Sequence, residues 1–223
     1  MAVVAVGAGL IALLLGRSRA AYLIGLSCSA AAYLIGLPFS IGFPFLFPLA
    51  PDWVFLVIAP PLIEEAMRVL FIVTIFEADR EDERLSSWIA FGVGYAALEC
   101  GAKFSANLAT VSRVAAPEAW ETASYWLTPF VPFWLFLFLT ATVLALRRFG
   151  APPWAAFAAA AGLHALHNGS VFWFYPTTYT ELVATNLGRI ALFVALTALI
   201  VWAAWRQRPS RFMPRTSAPN KLT

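Results

Sequence analysis

Apolar runs of bilayer-crossing length recur along almost the whole of this chain, separated by short polar loops. We read seven: Ala2–Leu15, Ala20–Leu37, Trp53–Phe76, Leu85–Leu108, Leu127–Leu146, Trp154–Phe174 and Leu182–Trp205. A hydrocarbon core of about 30 Å needs about 20 residues of helix at 1.5 Å rise each, so the first run is the shortest candidate. Apolar residues make up 61% of the chain and charged residues only 12%, whereas a soluble domain carries about 25% charged residues. The chain therefore has more apolar surface than one water-soluble core could hide. A transmembrane barrel would show alternating segments of about ten residues, and no such alternation is present. The expected fold is all-α: a polytopic transmembrane helical bundle of about seven spans, forming one membrane-embedded domain over 1–206. Its core should lie at about 53–175, with a disordered basic tail over 207–223. The opening run lacks the basic start of a signal peptide and is read as a span. Cys28 and Cys100 both sit in apolar runs, which does not suit a disulfide framework.

Basic residues in the loops orient the bundle. Arg17 and Arg19 follow the first run, Arg80 and Arg84 the third, Arg147 and Arg148 the fifth, and Arg206 with the tail adds four arginines and a lysine. These loops all fall on one side, and the opposite loops hold Arg113 as their clear basic residue. The N-terminus is thus expected outside and the C-terminus in the cytoplasm, in the plasma (inner) membrane of a prokaryote. Trp53, Trp88, Trp126, Trp154 and Trp205 fall near span ends, as interfacial belts do. The heptapeptide AAYLIGL occurs twice, at 20–26 and 31–37. Its spacing is close to three helical turns, which places both copies on one face for packing. The prolines of PFSIGFPFLFPLAPD, 38–52, predict an apolar connecting loop.

Against this background the ionisable residues stand out. The third run holds Glu64, Glu65 and Arg68, the fourth Glu99 and Lys103, and the sixth His164, His167 and Asn168. A charged side chain at a helix centre costs about 2.5–3.5 kcal/mol to insert, so these groups must face one another or a wet cavity. Counting 1.5 Å per residue puts Glu64 roughly 17 Å from one surface, and Glu99 and His164 roughly 18 and 15 Å from the other. The three reach one mid-membrane depth. Arg68 is i+4 from Glu64 and i+3 from Glu65, so it can reach either carboxylate. Pro60 and Pro61 predict a helix restart whose N-terminus would favour ionised carboxylates at Glu64 and Glu65.

Such a constellation suits hydrolysis. A glutamate can act as general base on water, and His164 and Asn168 can donate to a developing oxyanion. The same donors, Glu64, Glu65, Glu99 and His164, could instead hold zinc with an open position, although no HExxH motif is present. Neither a cofactor nor a nucleic-acid partner is required by the water-base scheme. Plainer readings stand beside it. Glu64, Glu65 and Arg68 could be a structural ion cluster, Glu99 and Lys103 a helix salt bridge, and His164 a helix–helix hydrogen bond. His167 reads as a supporting residue, since one helix cannot readily aim it and His164 at one atom. Buried Glu, His and Lys also serve proton paths, but no inverted repeat supports a transporter.

These motifs resemble a family. EEAMR (64–68) resembles the EExxK/R motif of PrsW-type intramembrane proteases, with arginine for the more usual lysine. GYAALEC (94–100) resembles their FxxxE(N) motif, with Tyr95 for Phe and Cys100 for Asn, and HALHN (164–168) their HxxxD motif, with Asn168 for Asp. The related CAAX-protease group uses HxxxN, but has EExxxR and FxxxH. The Aph scaffold subunit of gamma-secretase is similar too, through QExxR, GxFSxxN (compare GAKFSAN, 101–107) and a His-x-x-x-x-Gly-x-x-Phe pattern that His164, Gly169 and Phe172 match. The resemblance covers about 55–175. It implies a glutamic intramembrane protease core in which Glu64 and Glu65 hold the water, His164 and Asn168 bind the oxyanion, and Glu99 completes the site. Arg68, Lys103, His167 and Tyr95 would support it. The substrate would be a membrane protein or membrane-associated peptide. The alternative is a non-catalytic scaffold like the Aph subunit.

Overall fold

The computed structural model describes residues 19–76, 85–111, 127–174, 176 and 178–206. Six α-helices and no strand occur among them: α1 (Arg19–Leu46), α2 (Ala59–Phe71), α3 (Leu85–Val111), α4 (Phe130–Arg148), α5 (Pro153–Trp173) and α6 (Tyr179–Arg206). The run Ala2–Leu15, the loop 77–84, most of the polar loop before Leu127, and the tail 207–223 lie outside the described residues. Two described stretches, Phe130–Arg148 and Thr180–Ala204, are long and apolar enough to cross a membrane; Ile89–Ala102 of α3 is a shorter apolar helix.

The helices meet in a definite order. α3 packs on α1 and α4, α4 on α5 and α6, and α2 on α1 and α5. Position in this arrangement sets burial. In α4, 67% of the crossing stretch is buried, against 17% in α6, so α4 is the central helix and α6 a peripheral one. The core is built from Phe91, Tyr95, Leu135, Phe136, Leu139 and Val143. Leu34, Leu62, Leu70, Leu166, Leu192 and Leu199 point outward. Soluble proteins rarely gather so much apolar surface on their exterior, and a hydrocarbon solvent accepts it. Hydroxyls within the helices turn back on their own backbone, as Thr140 does to the Phe136 carbonyl at 2.8 Å and Thr142 to that of Phe138 at 2.9 Å.

Two sequence expectations need correction. The chain does not leave helix at Pro38. α1 runs through Pro38 and Pro44 to Leu46, so most of the expected connecting loop is helical. Each proline removes one N–H from the helix, and the remaining main-chain bonds keep the helix going. Nor do Pro60 and Pro61 open a free helix end. The chain is continuously helical from Asp52 to Phe76, with wide π-helical turns at Val54–Ile58 and Ile72–Phe76 on either side of α2. The Ala59 N–H donates to the Val54 carbonyl five residues back, and the prolines take the first α-helical positions.

Small residues allow α1 and α3 to approach to backbone contact. A Cβ added at Gly25 would lie 2.1 Å from the Phe91 carbonyl oxygen, and one at Gly94 would lie 2.1 Å from that of Tyr22. Gly25 belongs to the first AAYLIGL copy, which thereby contributes to helix packing. Between α4 and α5 the chain reverses through Gly150 at φ +83, the conformation glycine tolerates best. Ala151 N–H there closes back on the Leu146 carbonyl at 2.9 Å. That reversal lays α5 against α4 and brings His164 edge-on to Phe136, with ring centroids 5.3 Å apart.

Gly25→Leu and Gly94→Leu should each prevent the α1–α3 contact. Overpacking of a core costs about 1–3 kcal/mol even where side chains can yield, and here the obstacle is backbone. We expect loss of monodisperse protein in detergent, or a melting temperature lowered by many degrees. Gly162→Ala, which meets nothing within 4 Å, should leave the melt unchanged or raise it, as measured by thermal denaturation.

Candidate functional site

The ionisable residues of α2 and α5 come together although they lie about a hundred positions apart in the chain. Glu65 Oε1 lies 3.0 Å from His164 Nδ1. Glu65 Oε2 accepts a hydrogen bond from Arg68 Nη1 in a fully buried ion pair. Glu64 Oε2 lies 4.0 Å from the same His164 nitrogen, and the Glu64 side chain is 22% exposed. Helix spacing lets Arg68 reach either glutamate, and it pairs one turn back with Glu65 at i,i+3, not with Glu64 at i,i+4.

The two glutamates are therefore not equivalent. Both Glu65 oxygens are engaged, one by an imidazole and one by a guanidinium. Glu64 Oε2 has no hydrogen-bond partner, and the residue retains some exposure. Glu99 on α3 is half-buried and acts electrostatically on Glu64, so a third carboxylate bears on the site.

Aromatic side chains wall the cluster. Arg68 Nε and Nη2 have no hydrogen-bond partner. The guanidinium lies instead over the Tyr95 ring, 4.2 Å from its centroid, and 5.2 Å from that of Phe136. Cation–π attraction of this kind is worth about 2 kcal/mol or more when desolvated. Tyr95, buried on α3, also donates its hydroxyl to the Glu64 carbonyl at 3.0 Å, fixing the backbone that carries both glutamates. Cys28 of α1 places its thiol 3.5 Å from the Met67 carbonyl on the far side of the same turn. Phe136 and Cys28 were not singled out from the sequence. Phe136 lies among leucines and Cys28 between Ser27 and Ser29, with no charged residue beside either, and only helix packing assigns them to the site.

Asn168 has a different placement from the one expected. Its Nδ2 donates to the Leu56 carbonyl at 3.4 Å. In an α-helix the partner of Leu56 would be the N–H of residue 60, and in a π-helix that of residue 61. Both are prolines and carry no N–H. Leu56 is thus the carbonyl that neither helical pattern can satisfy, and α5 supplies the donor. The contact is reinforced by Gly169, whose missing Cβ would meet Val57 at 3.5 Å, and by Trp53 against Trp173 at 6.4 Å. Asn168 retains a second amide proton for other work.

His167 diverges from His164, as the spacing suggests. Its ring lies edge-on to Phe193 of α6 at 5.5 Å, away from the glutamates. The Lys103 side chain lies outside the described residues, so the Glu99–Lys103 pairing does too. Among the described residues no three His, Cys, Asp or Glu side chains converge as a metal ion would require. Glu65 and His164, two of the expected zinc donors, face each other through Oε1 and Nδ1. No protein-family model, curated protein or solved structure matches the chain.

Breaking the buried pair should cost far more than an exposed salt bridge. Removal of one partner from a buried ion pair is worth about 3–5 kcal/mol. Arg68→Met should lower thermal stability on that scale. The double variant Arg68→Met with Glu65→Gln should be less destabilised than the sum of the two single changes, which a double-mutant cycle of melting curves measures.

Proposed function

We propose that this chain is an intramembrane endopeptidase of about seven spans, N-terminus outside and C-terminus in the cytoplasm, in the inner membrane of a prokaryote. Its substrate class is a membrane protein or a membrane-associated peptide. The observation that carries the reading is the inequality of the paired glutamates: Glu65 is saturated by His164 and Arg68, and Glu64 beside it keeps an unpartnered oxygen within 4.0 Å of the imidazole. The motif resemblance to PrsW-type proteases and the arginine bias of the loops support it further.

In this reading Glu64 is the general base. Its carboxylate takes a proton from water as the water oxygen bonds to the scissile carbonyl carbon. The proton passes to the leaving nitrogen as the C–N bond breaks. Glu65, paired with Arg68, accepts from His164 Nδ1–H and fixes the ring, which leaves Nε2 for the substrate. As imidazolium, His164 donates from Nε2 to the oxyanion, and the second amide proton of Asn168 is available for the same oxygen. Glu65 and Arg68 are positioning residues. The substrate helix would have to unwind locally to present an extended bond to these groups.

A non-catalytic scaffold resembling the Aph subunit is the second reading. The saturated Glu65–Arg68–His164 cluster favours it, because such a cluster joins α2 to α5 whether or not chemistry follows. The two readings separate on Glu64. With purified protein and a membrane-peptide substrate, Glu64→Gln should lower cleavage by about 10²–10⁴-fold while the melting temperature stays near wild type. Glu65→Gln and His164→Ala should lose both activity and stability. Full activity in Glu64→Gln would remove the peptidase assignment. Loss of a co-purifying partner in the same variant, without any cleavage by wild type, would favour the scaffold.

A further inference from the structure

A second polar cluster lies on the α5–α6 face and takes no part in the site above. Arg189 falls within Thr180–Ala204, a stretch of crossing length. Its one described partner is the Ser170 hydroxyl of α5, at 3.3 Å from Nη2. Ser170 gives its own proton to the His167 carbonyl at 2.7 Å, so its oxygen is oriented to accept from the guanidinium. A guanidinium has five N–H donors in a planar fork, and one of them is used. No carboxylate pairs with Arg189 among the described residues. One turn earlier on the same face, Asn186 is buried and its amide Nδ2 has no partner. The face therefore offers positive charge and surplus donors, which is the chemistry that recognises an oxyanion.

Depth narrows the choice of anion. At the other end of α6, Arg206 stacks on Trp202 at 4.3 Å, a pairing typical of a membrane boundary. A hydrocarbon core of about 30 Å spans about 20 helical residues from there. The opposite boundary then falls about one turn from Arg189, within reach of a side chain that snorkels to the headgroups. The geometry points to a phospholipid-phosphate site on the α5–α6 face, at the Tyr179 end of α6, with Arg189 as the phosphate ligand and Ser170 holding its fork in place. The site rests on α6 spanning the bilayer and is independent of any peptidase activity.

The test uses the full chain purified in detergent and native mass spectrometry. Dioleoylphosphatidylglycerol is compared with dioleoylglycerol, which has the same chains and no phosphate. Wild type should retain the phospholipid and not the diacylglycerol. Arg189→Gln should bind the phospholipid about tenfold or more weakly, the loss expected for charge-assisted hydrogen bonds. Inorganic phosphate at equal concentration should leave the bound lipid in place. Unchanged phospholipid binding in Arg189→Gln, equal binding of the two lipids, or displacement by inorganic phosphate would each overturn the site. An acidic peptide bound through Arg189, with no Arg189-dependent phospholipid adduct, would overturn it in favour of a protein ligand. Should Arg189→Gln fail to fold, Arg189→Lys decides instead, because it keeps the charge and loses the fork. Weakened binding there supports the site, and wild-type binding overturns it.

Discussion

A guanidinium cannot be discharged in a protein, and Arg68 is fully buried. The rest of the site is arranged around that constraint. Glu65 supplies the counter-charge, Tyr95 and Phe136 supply aromatic faces, and His164 takes the second Glu65 oxygen. Because these groups come from α2, α3, α4 and α5, compensating one charge also fixes how four helices meet. A buried ion cluster is weak evidence for stability in itself. Its consequence here is specificity of packing: α2 makes the Arg68–Glu65 pair within itself, and another helix register would withdraw Tyr95, Phe136 and His164 from around it.

The same logic runs through the backbone. Pro60 and Pro61 remove two consecutive N–H groups at the start of α2, and the helix responds with a π-helical turn and one carbonyl, Leu56, that no N–H of its own helix can reach. Asn168 meets it from α5. The two connections to α5, Glu65 of α2 with His164 and Leu56 of the preceding π-helical turn with Asn168, use residues four apart on α5, one helical turn. α5 thus reads this continuous helix at two levels, through a side chain on one side of the prolines and through the main chain on the other. In the peptidase reading this rigid docking is what leaves Glu64 poised beside the imidazole without being consumed by the packing.

The sequence by itself determined the all-α class of the fold and placed Glu64, Glu65 and His164 at one height. Helix positions for α3 to α6 follow from apolar length, and the convergence of Glu64, Glu65 and His164 agrees with their counted positions along α2 and α5, because a helix converts residue count into height. The prolines mislead because a proline inside a helix costs one main-chain bond and need not end it. Only the tertiary structure decided which glutamate Arg68 takes, that Asn168 serves Leu56, and that Phe136 and Cys28 belong to the site. Height along a helix is fixed by spacing along the chain, whereas rotation about its axis and the identity of the facing helix are set by packing between segments far apart in sequence.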